Sequence, residues 1–199
     1  MTNQATGAPV GDRAPGDRTL GDRALWDRAA EGDEAAFGEL FERHVEAVWN
    51  HAYRLTGSWS AAEDLTSNTF LTAWRRRTEV TLVRDSALPW LYTVAGNAAR
   101  DEYRGARRRL RLLQKMPDAP VVSDHADTVA ERLDGERRLR EIVEAVRTLP
   151  KAQREVVELC LLGDLSAADA AALLTVAEGT VRAHLSRARA RLRTLLEEK

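Results

Sequence analysis

Arg182, Ser186, Arg187, Arg189 and Arg193 crowd one short stretch near the end of the chain, and guanidinium groups at that density can grip phosphates or base edges. At about 100° per residue, Val181, Leu185, Ala188, Leu192 and Leu195 fall in one narrow stripe. The spacing predicts a helix from about 178 to 196, pressed on a core along that seam with its arginines turned away. Residues 166–174 read as a short helix with a serine cap and apolar positions Ala170, Leu173 and Leu174. The turn Thr175-Val176-Ala177-Glu178-Gly179 joins the two. Helix, short turn and a helix with basic and small polar residues near its start form a helix-turn-helix, whose second helix enters the DNA major groove. A charged helix face is also commonly just solvated. Base reading is favoured by Arg182, Ala183, Ser186 and Arg187, which leave the seam on consecutive turns. Arginine can hold a guanine edge bidentately, serine can donate or accept, and alanine can face a thymine methyl.

The elements around this stretch must position it. At 199 residues the chain has room for one or two small domains. Its 30 basic and 31 acidic residues leave a net charge of −1, so DNA contact depends on local clusters and part of the surface serves another partner. The single cysteine, Cys160, stands in a leucine-rich run and reads as a small buried hydrophobe; no disulfide within the chain is possible, which fits a reducing cytoplasm. There is no long apolar run and no signal peptide, so a soluble cytoplasmic protein without membrane insertion is expected.

Residues 1–30 carry Gly-Asp-Arg at 11, 16 and 21, then Trp26-Asp27-Arg28, and are expected to be a disordered extension. All aromatic residues lie from Trp26 to Tyr103, leaving an aliphatic second half. That division predicts two separate cores and a domain boundary after Tyr103. Phe37, Leu40, Phe41, Val45, Val48, Ala52 and Leu55 mark a helix over about 35–55. Ser60 is placed to cap the next helix, about 61–76, with Glu63 in capping-box spacing. Residues 78–88 read as a loop, and Pro89 suits the first turn of a helix over 90–108 that becomes basic at Arg100, Arg104, Arg107, Arg108 and Arg109. Residues 137–148 and 150–162 are two further amphipathic helices, the second supplying Val156, Val157, Leu159, Cys160 and Leu161 to the second core.

Three stretches, AEDLTSNTFLTAWRRR (62–77), LPWLYTVAGNAARDEYRGARRR (88–109) and LPKAQREVVELCLLGDLSAADAAALLTVAEGTVRAHLSRARARLR (149–193), resemble in order and spacing the extracytoplasmic-function (ECF) sigma factors of bacterial RNA polymerase. The resemblance covers about 33–108 and 136–195. It implies an all-α fold of two small helical domains joined by a flexible linker: sigma domain 2 at 31–110, a linker at 111–135 and sigma domain 4 at 136–199. It implies a protein that directs core polymerase to promoters, reading the −35 element and melting the −10 element. Glu63, Asp64, Asn68 and Thr69 match the surface that meets the clamp helices of the largest polymerase subunit. Ser67-Asn68 stands where the family usually has Gln-Glu, which weakens the acidic part of that surface. Carboxylates early in that helix also complement its dipole.

For the −10 element the family holds a non-template base turned out of the stack. Asn97 matches its asparagine, Arg84, Asp85 and Ser86 match the preceding loop, and Arg100 and Arg104 follow one and two turns on, suited to phosphates. Gly96 departs from a more usual bulky or basic residue and implies a more open pocket. Trp90 and Tyr92 could stack on bases, although core packing is the commoner role at helical spacing. The −35 readers carried over are Arg182, Ala183, Ser186 and Arg187, with Thr180 and Arg189 on phosphates. Thr175 replaces a common glycine in the turn. The linker's Asp118, Asp124, Asp127 and Glu131 could mimic nucleic acid or simply keep the segment solvated. Many relatives are held inactive by an anti-sigma partner.

Three other readings compete. A stand-alone helix-turn-helix regulator would leave the aromatic half without a role, and a purely protein-binding module would leave the arginines unexplained. An enzyme would need metal spacing, a phosphate-cradling glycine loop or an activated nucleophile. His44, His51, His125 and His184 are scattered, so neither catalysis, cofactor nor metal is expected.

Overall fold

A computed structural model describes residues 20–83, 85–113 and 130–197. Those residues form eight helices: α1 (Asp22–Ala30), α2 (Glu34–Thr56), α3 (Trp59–Arg76), α4 (Leu88–Leu113), α5 (Ala130–Thr148), α6 (Lys151–Cys160), α7 (Ala167–Leu174) and α8 (Glu178–Glu197). No strand occurs among the described residues. The first unit, α1 to α4, packs around α2; in the second, α5, α6 and α7 pack on α8.

Local chemistry sets the helix ends. Asp33 caps α2 by accepting from the Ala36 N–H, and Gly57 closes it in the left-handed region with φ 66°. Ser166 caps α7 by accepting from Asp169 N–H at 3.0 Å, while its hydroxyl donates to the Asp169 carboxylate at 2.6 Å. Pro89 sits in the first turn of α4 as its spacing predicts.

Four expectations change. Residues 22–30 are helical, because Leu25, Trp26 and Ala29 share one face and are buried in the core. The Trp26 indole N–H also donates to Val80 O at 3.1 Å. Residues 1–19 of the expected extension, and residues 114–129 of the linker with Asp118, Asp124, His125 and Asp127, lie outside the described residues. The α3 cap position falls on Ser58 rather than Ser60, and Glu63 accepts from the Trp59 indole instead of forming a capping box. The α8 seam is buried at Val181, Leu185 and Ala188 but opens at its end, where Leu195 is 36% exposed.

The fourth change concerns the core. A single apolar cluster runs from Leu25, Leu40, Phe70 and Leu91 through Tyr92 to Val156, Leu159, Ala170 and Val181, crossing between the units. Aromatic residues do stay in the first unit, but α4 presents Leu91 and Tyr92 to α6 and α7, so the aliphatic side closes on them. Gly163 makes that approach possible: a Cβ there would lie 2.8 Å from the Tyr92 ring. Trp90 packs edge-on against Trp26, and Tyr92 stacks on His51, so both aromatics serve packing.

Candidate nucleic-acid interface

On α8 the burial of Val181, Leu185 and Ala188 forces the intervening residues outward. Thr180, Arg182, Ser186, Arg187 and Arg189 are exposed, and Ala183 is half-buried between them. Arg182 pairs with Glu178 one turn back, and Arg187 lies 3.2 Å from His184 Nδ1. Both are exposed, local contacts that water and salt weaken. A shallow groove lined by Arg182, Ser186, Arg189 and Arg193 runs along the helix. Of the six residues expected to meet the −35 element, Arg182, Ser186 and Arg189 line this groove, while Thr180, Ala183 and Arg187 lie round the helix on its other outward flank. Thr175 supports this helix in the left-handed region, φ 56° and ψ 44°, as the C-cap of α7.

The −10 residues are arranged differently. Arg84 lies outside the described residues. Asp85 is exposed and paired with Arg23 at 2.8 Å, and the Ser86 hydroxyl accepts from Leu88 N–H at 3.3 Å. Asn97 is exposed on α4, with its Oδ1 accepting from Arg100 Nη2 at 2.6 Å. Arg100 reaches across to α6, where Nη1 donates to Glu158 Oε2 at 2.7 Å. Arg104 pairs with Asp101 on its own helix. Burial pushes the Glu158 carboxyl up from its ordinary value, with Arg100 and then Arg154 partly opposing.

On α3, Glu63, Asp64 and Asn68 are exposed, whereas Thr69 is fully buried and its hydroxyl donates to Leu65 O at 2.7 Å. Thr69 is therefore a packing residue, turned inward because it shares the face of Leu65 and Ala62. Leu71, 45% exposed, follows Asp64 by seven residues and joins the outward face; its exposure had no signal in the apolar spacing. Glu158, Tyr103 and Arg147 also go unmarked by sequence patterning, because their partners lie across the two units: Tyr103 OH reaches Glu144 at 3.5 Å, and the Arg147 guanidinium sits 4.1 Å over the Tyr103 ring.

Asp22 ties the first unit together beneath the 82–88 loop. Its carboxylate accepts from Arg43 at 2.7 Å and from Ala87 N–H at 2.9 Å, and lies 2.6 Å from His44 Nε2. Burial pushes this carboxyl up, but the three hydrogen bonds outweigh it and hold it well below the usual carboxylate range. His51 lies two turns further along the same face of α2, stacked on Tyr92. The two histidines of α2 thus serve separate contacts, and the described residues contain no cluster of three or more potential metal ligands. No helix among the described residues is long and apolar enough to cross a membrane.

Residues 40–109 match the family model for Sigma-70 region 2, and residues 139–192 that for Sigma-70, region 4. The chain is 34% identical over 170 residues to the ECF RNA polymerase sigma factor SigL of Mycobacterium tuberculosis, covering 85% of this chain and 94% of that one. It is 35% identical over 172 residues to the ECF RNA polymerase sigma factor BldN of Streptomyces coelicolor; that match covers 85% of this chain and 64% of BldN, under two thirds of its length. Among solved structures, CnrH in complex with the cytosolic domain of CnrY aligns with a TM-score of 0.63 at 28% identity, covering 89% of this chain and 98% of that one. The sigma factor RpoE in complex with the anti-sigma factor NepR from Bartonella quintana aligns with a TM-score of 0.54 at 26% identity, covering 81% and 96%. With two helical units in the order of regions 2 and 4, and with SigL matched over nearly its whole length, the chain belongs to the ECF sigma factors of RNA polymerase.

Proposed function

We propose that this chain brings core RNA polymerase to promoters by reading the −35 element with α8 and holding the unpaired −10 strand with α4, without catalysing a reaction itself. The observation that carries the proposal is the outward face of α8, where three arginines and a serine stand free of the core on consecutive turns of a buried seam. Bidentate guanidinium contacts to guanine explain why arginines are useful there, and near-neutral net charge explains why polymerase must supply the rest of the affinity. Glu63, Asp64, Asn68 and the exposed Leu71 form the surface offered to the clamp helices: two carboxylates for a basic partner and one apolar side chain to exclude water. On α4, Asn97 takes the flipped base, while Arg100 and Arg104 follow the strand; Asp85 and Ser86 border it. Its workplace is the cytoplasm, where polymerase and promoter meet. An anti-sigma partner fits the same reading, because the solved RpoE structure similar to this chain is a complex with one.

Reconstitution with core polymerase on a random promoter library tests this. Transcripts should start at new, shared sites only when both are present. Arg187→Ala should weaken the selected −35 sequence by about 1 to 3 kcal/mol and relax one position. Asn97→Ala should reduce permanganate reactivity of unpaired thymines more than initial binding. Tight, sequence-specific binding by the isolated chain would instead support a stand-alone regulator.

A further inference from the structure

The −35 face of α8 is open, and on the −10 face of α4 Asn97 and Arg104 are exposed, but Arg100 between them is not free. Arg100 is bound to Glu158 of α6 at 2.7 Å, with the two side chains only 23% and 10% exposed. The same guanidinium holds Asn97 Oδ1 at 2.6 Å. One carboxylate of the second unit therefore fixes, through one arginine, two residues assigned above to the promoter strand. Carboxylate and phosphate both offer oxygen pairs to a guanidinium, so they compete for the same donors. Gly96 lies directly beneath the carboxylate: the position is buried, and a Cβ there would meet Glu158 Oε2 at 3.5 Å, ordinary van der Waals contact, so a side chain larger than alanine would crowd the pair. The open pocket of Gly96 is filled by Glu158 in this state. Beside the pair, a cavity of about 210 Å³ separates α4 from α5 and α6, lined by Arg104, Arg107 and Val143 among others. A buried ion pair is a poor way to build a permanent core, since apolar residues there would pack better. It suits a contact that opens.

We propose that the basic face of α4 is a surface with two alternative partners, Glu158 of the second unit in the free chain and the unpaired promoter strand after the units separate. Glu158 acts as an internal stand-in for phosphate: it keeps Arg100 from single-stranded DNA until separation, and Arg100 so held occupies the Asn97 carbonyl oxygen. The inference rests on the assignment of α4 to the −10 strand, but the closed state is measurable without DNA.

Fluorophores on cysteines introduced at the exposed Glu46 and Arg191, in a Cys160→Ser background, report the distance between the units in the full chain. Glu158→Gln removes the charge and keeps the volume. It should lower energy transfer and raise the affinity of the free chain for the single-stranded −10 oligonucleotide selected with polymerase about three- to tenfold, because affinity scales with the open fraction. Gly96→Leu approaches the pair from α4 and gains helix propensity; it should lower energy transfer as well. In preassembled holoenzyme, Glu158→Gln should leave start sites unchanged. Unchanged energy transfer in both variants would overturn the latch whatever polymerase does. Lower transfer with no gain in oligonucleotide affinity would overturn the competition with DNA. Failure of the chain to select start sites, with the distance change intact, would count against the promoter assignment and leave the closed contact standing.

Discussion

Asp22 shows how much one side chain can decide. It is the first residue of α1, and it receives Arg43 and His44 from α2 and the Ala87 N–H just before α4. Three separate elements converge on two oxygens, so the carboxylate orders the loop that carries Asp85 and Ser86. Asp22→Asn keeps the shape but exchanges one acceptor oxygen for a donor group and removes the charge opposite Arg43. It should lower unfolding free energy by about 2 kcal/mol at neutral pH, read by urea denaturation. The folded carboxyl is held below its ordinary value near 3.8, so its stabilisation is present above that pH and is lost as pH falls towards the folded value. The variant should therefore converge with the parent in strong acid. A constant gap across the whole range would show that packing, not charge, sets the effect. In sequence Asp22 is simply one of the Gly-Asp-Arg repeats; its Ala87 partner is 65 positions away, beyond any local pattern.

The helix-turn-helix raises a backbone question. Thr175 ends α7 at φ 56°, a left-handed conformation that crowds a branched Cβ against the backbone at about 1 to 2 kcal/mol. Its N–H still donates to Ala171 O, so the cap is made despite the strain. Thr175→Gly removes the crowding but makes the unfolded chain more flexible, which offsets part of the gain. The balance should be about 1 kcal/mol of stabilisation, a rise in Tm of about 2 to 4 °C for a chain of this size, with unchanged promoter choice. A fall in Tm would mean that threonine makes a compensating contact in the turn. Periodicity reveals α2, α3, α4, α7 and α8 well, because each carries several apolar residues spaced by three and four. It misses α1, whose nine residues hold only Leu25, Trp26 and Ala29 to mark a face and follow a repetitive polar stretch. Thr69 misleads for a related reason: matching a motif gives a residue's place along the helix, while its turn towards Leu65 and Ala62 decides whether a partner can touch it.

The union of the two units governs the response of the whole chain to acid. Separate cores are the natural inference from aromatic and aliphatic halves, but composition does not say which faces meet. His51 lies where they do, on α2 against Tyr92 of α4 and near the end of α6, with about 1% of its surface exposed. Neither ring nitrogen makes a well-formed hydrogen bond; only weak backbone approaches at Leu162 and Tyr92 favour its charged form. Burial pushes its pKa down to about 4 from the ordinary 6.5. Above pH 6.5 the ring is neutral in both states and adds no slope. Between 6.5 and 4 the unfolded chain binds a proton that the folded chain refuses, so stability falls by about 1.4 kcal/mol per pH unit, to a total of about 3 kcal/mol. Glu158 works in the opposite sense just above its ordinary value, because its folded carboxyl is raised, while folded Asp22 stays ionised throughout and adds its own loss only at the bottom of the window, where the unfolded carboxyl nears its ordinary 3.8. Subtracting the profile of His51→Phe from that of the parent isolates the histidine. Phenylalanine retains the stacking on Tyr92 and removes two poorly partnered nitrogens, so the variant should be at least as stable at pH 7 and should lose less stability down to pH 4. Parallel profiles for the two chains would mean that the ring takes up its proton while folded, through water entering the seam between the units.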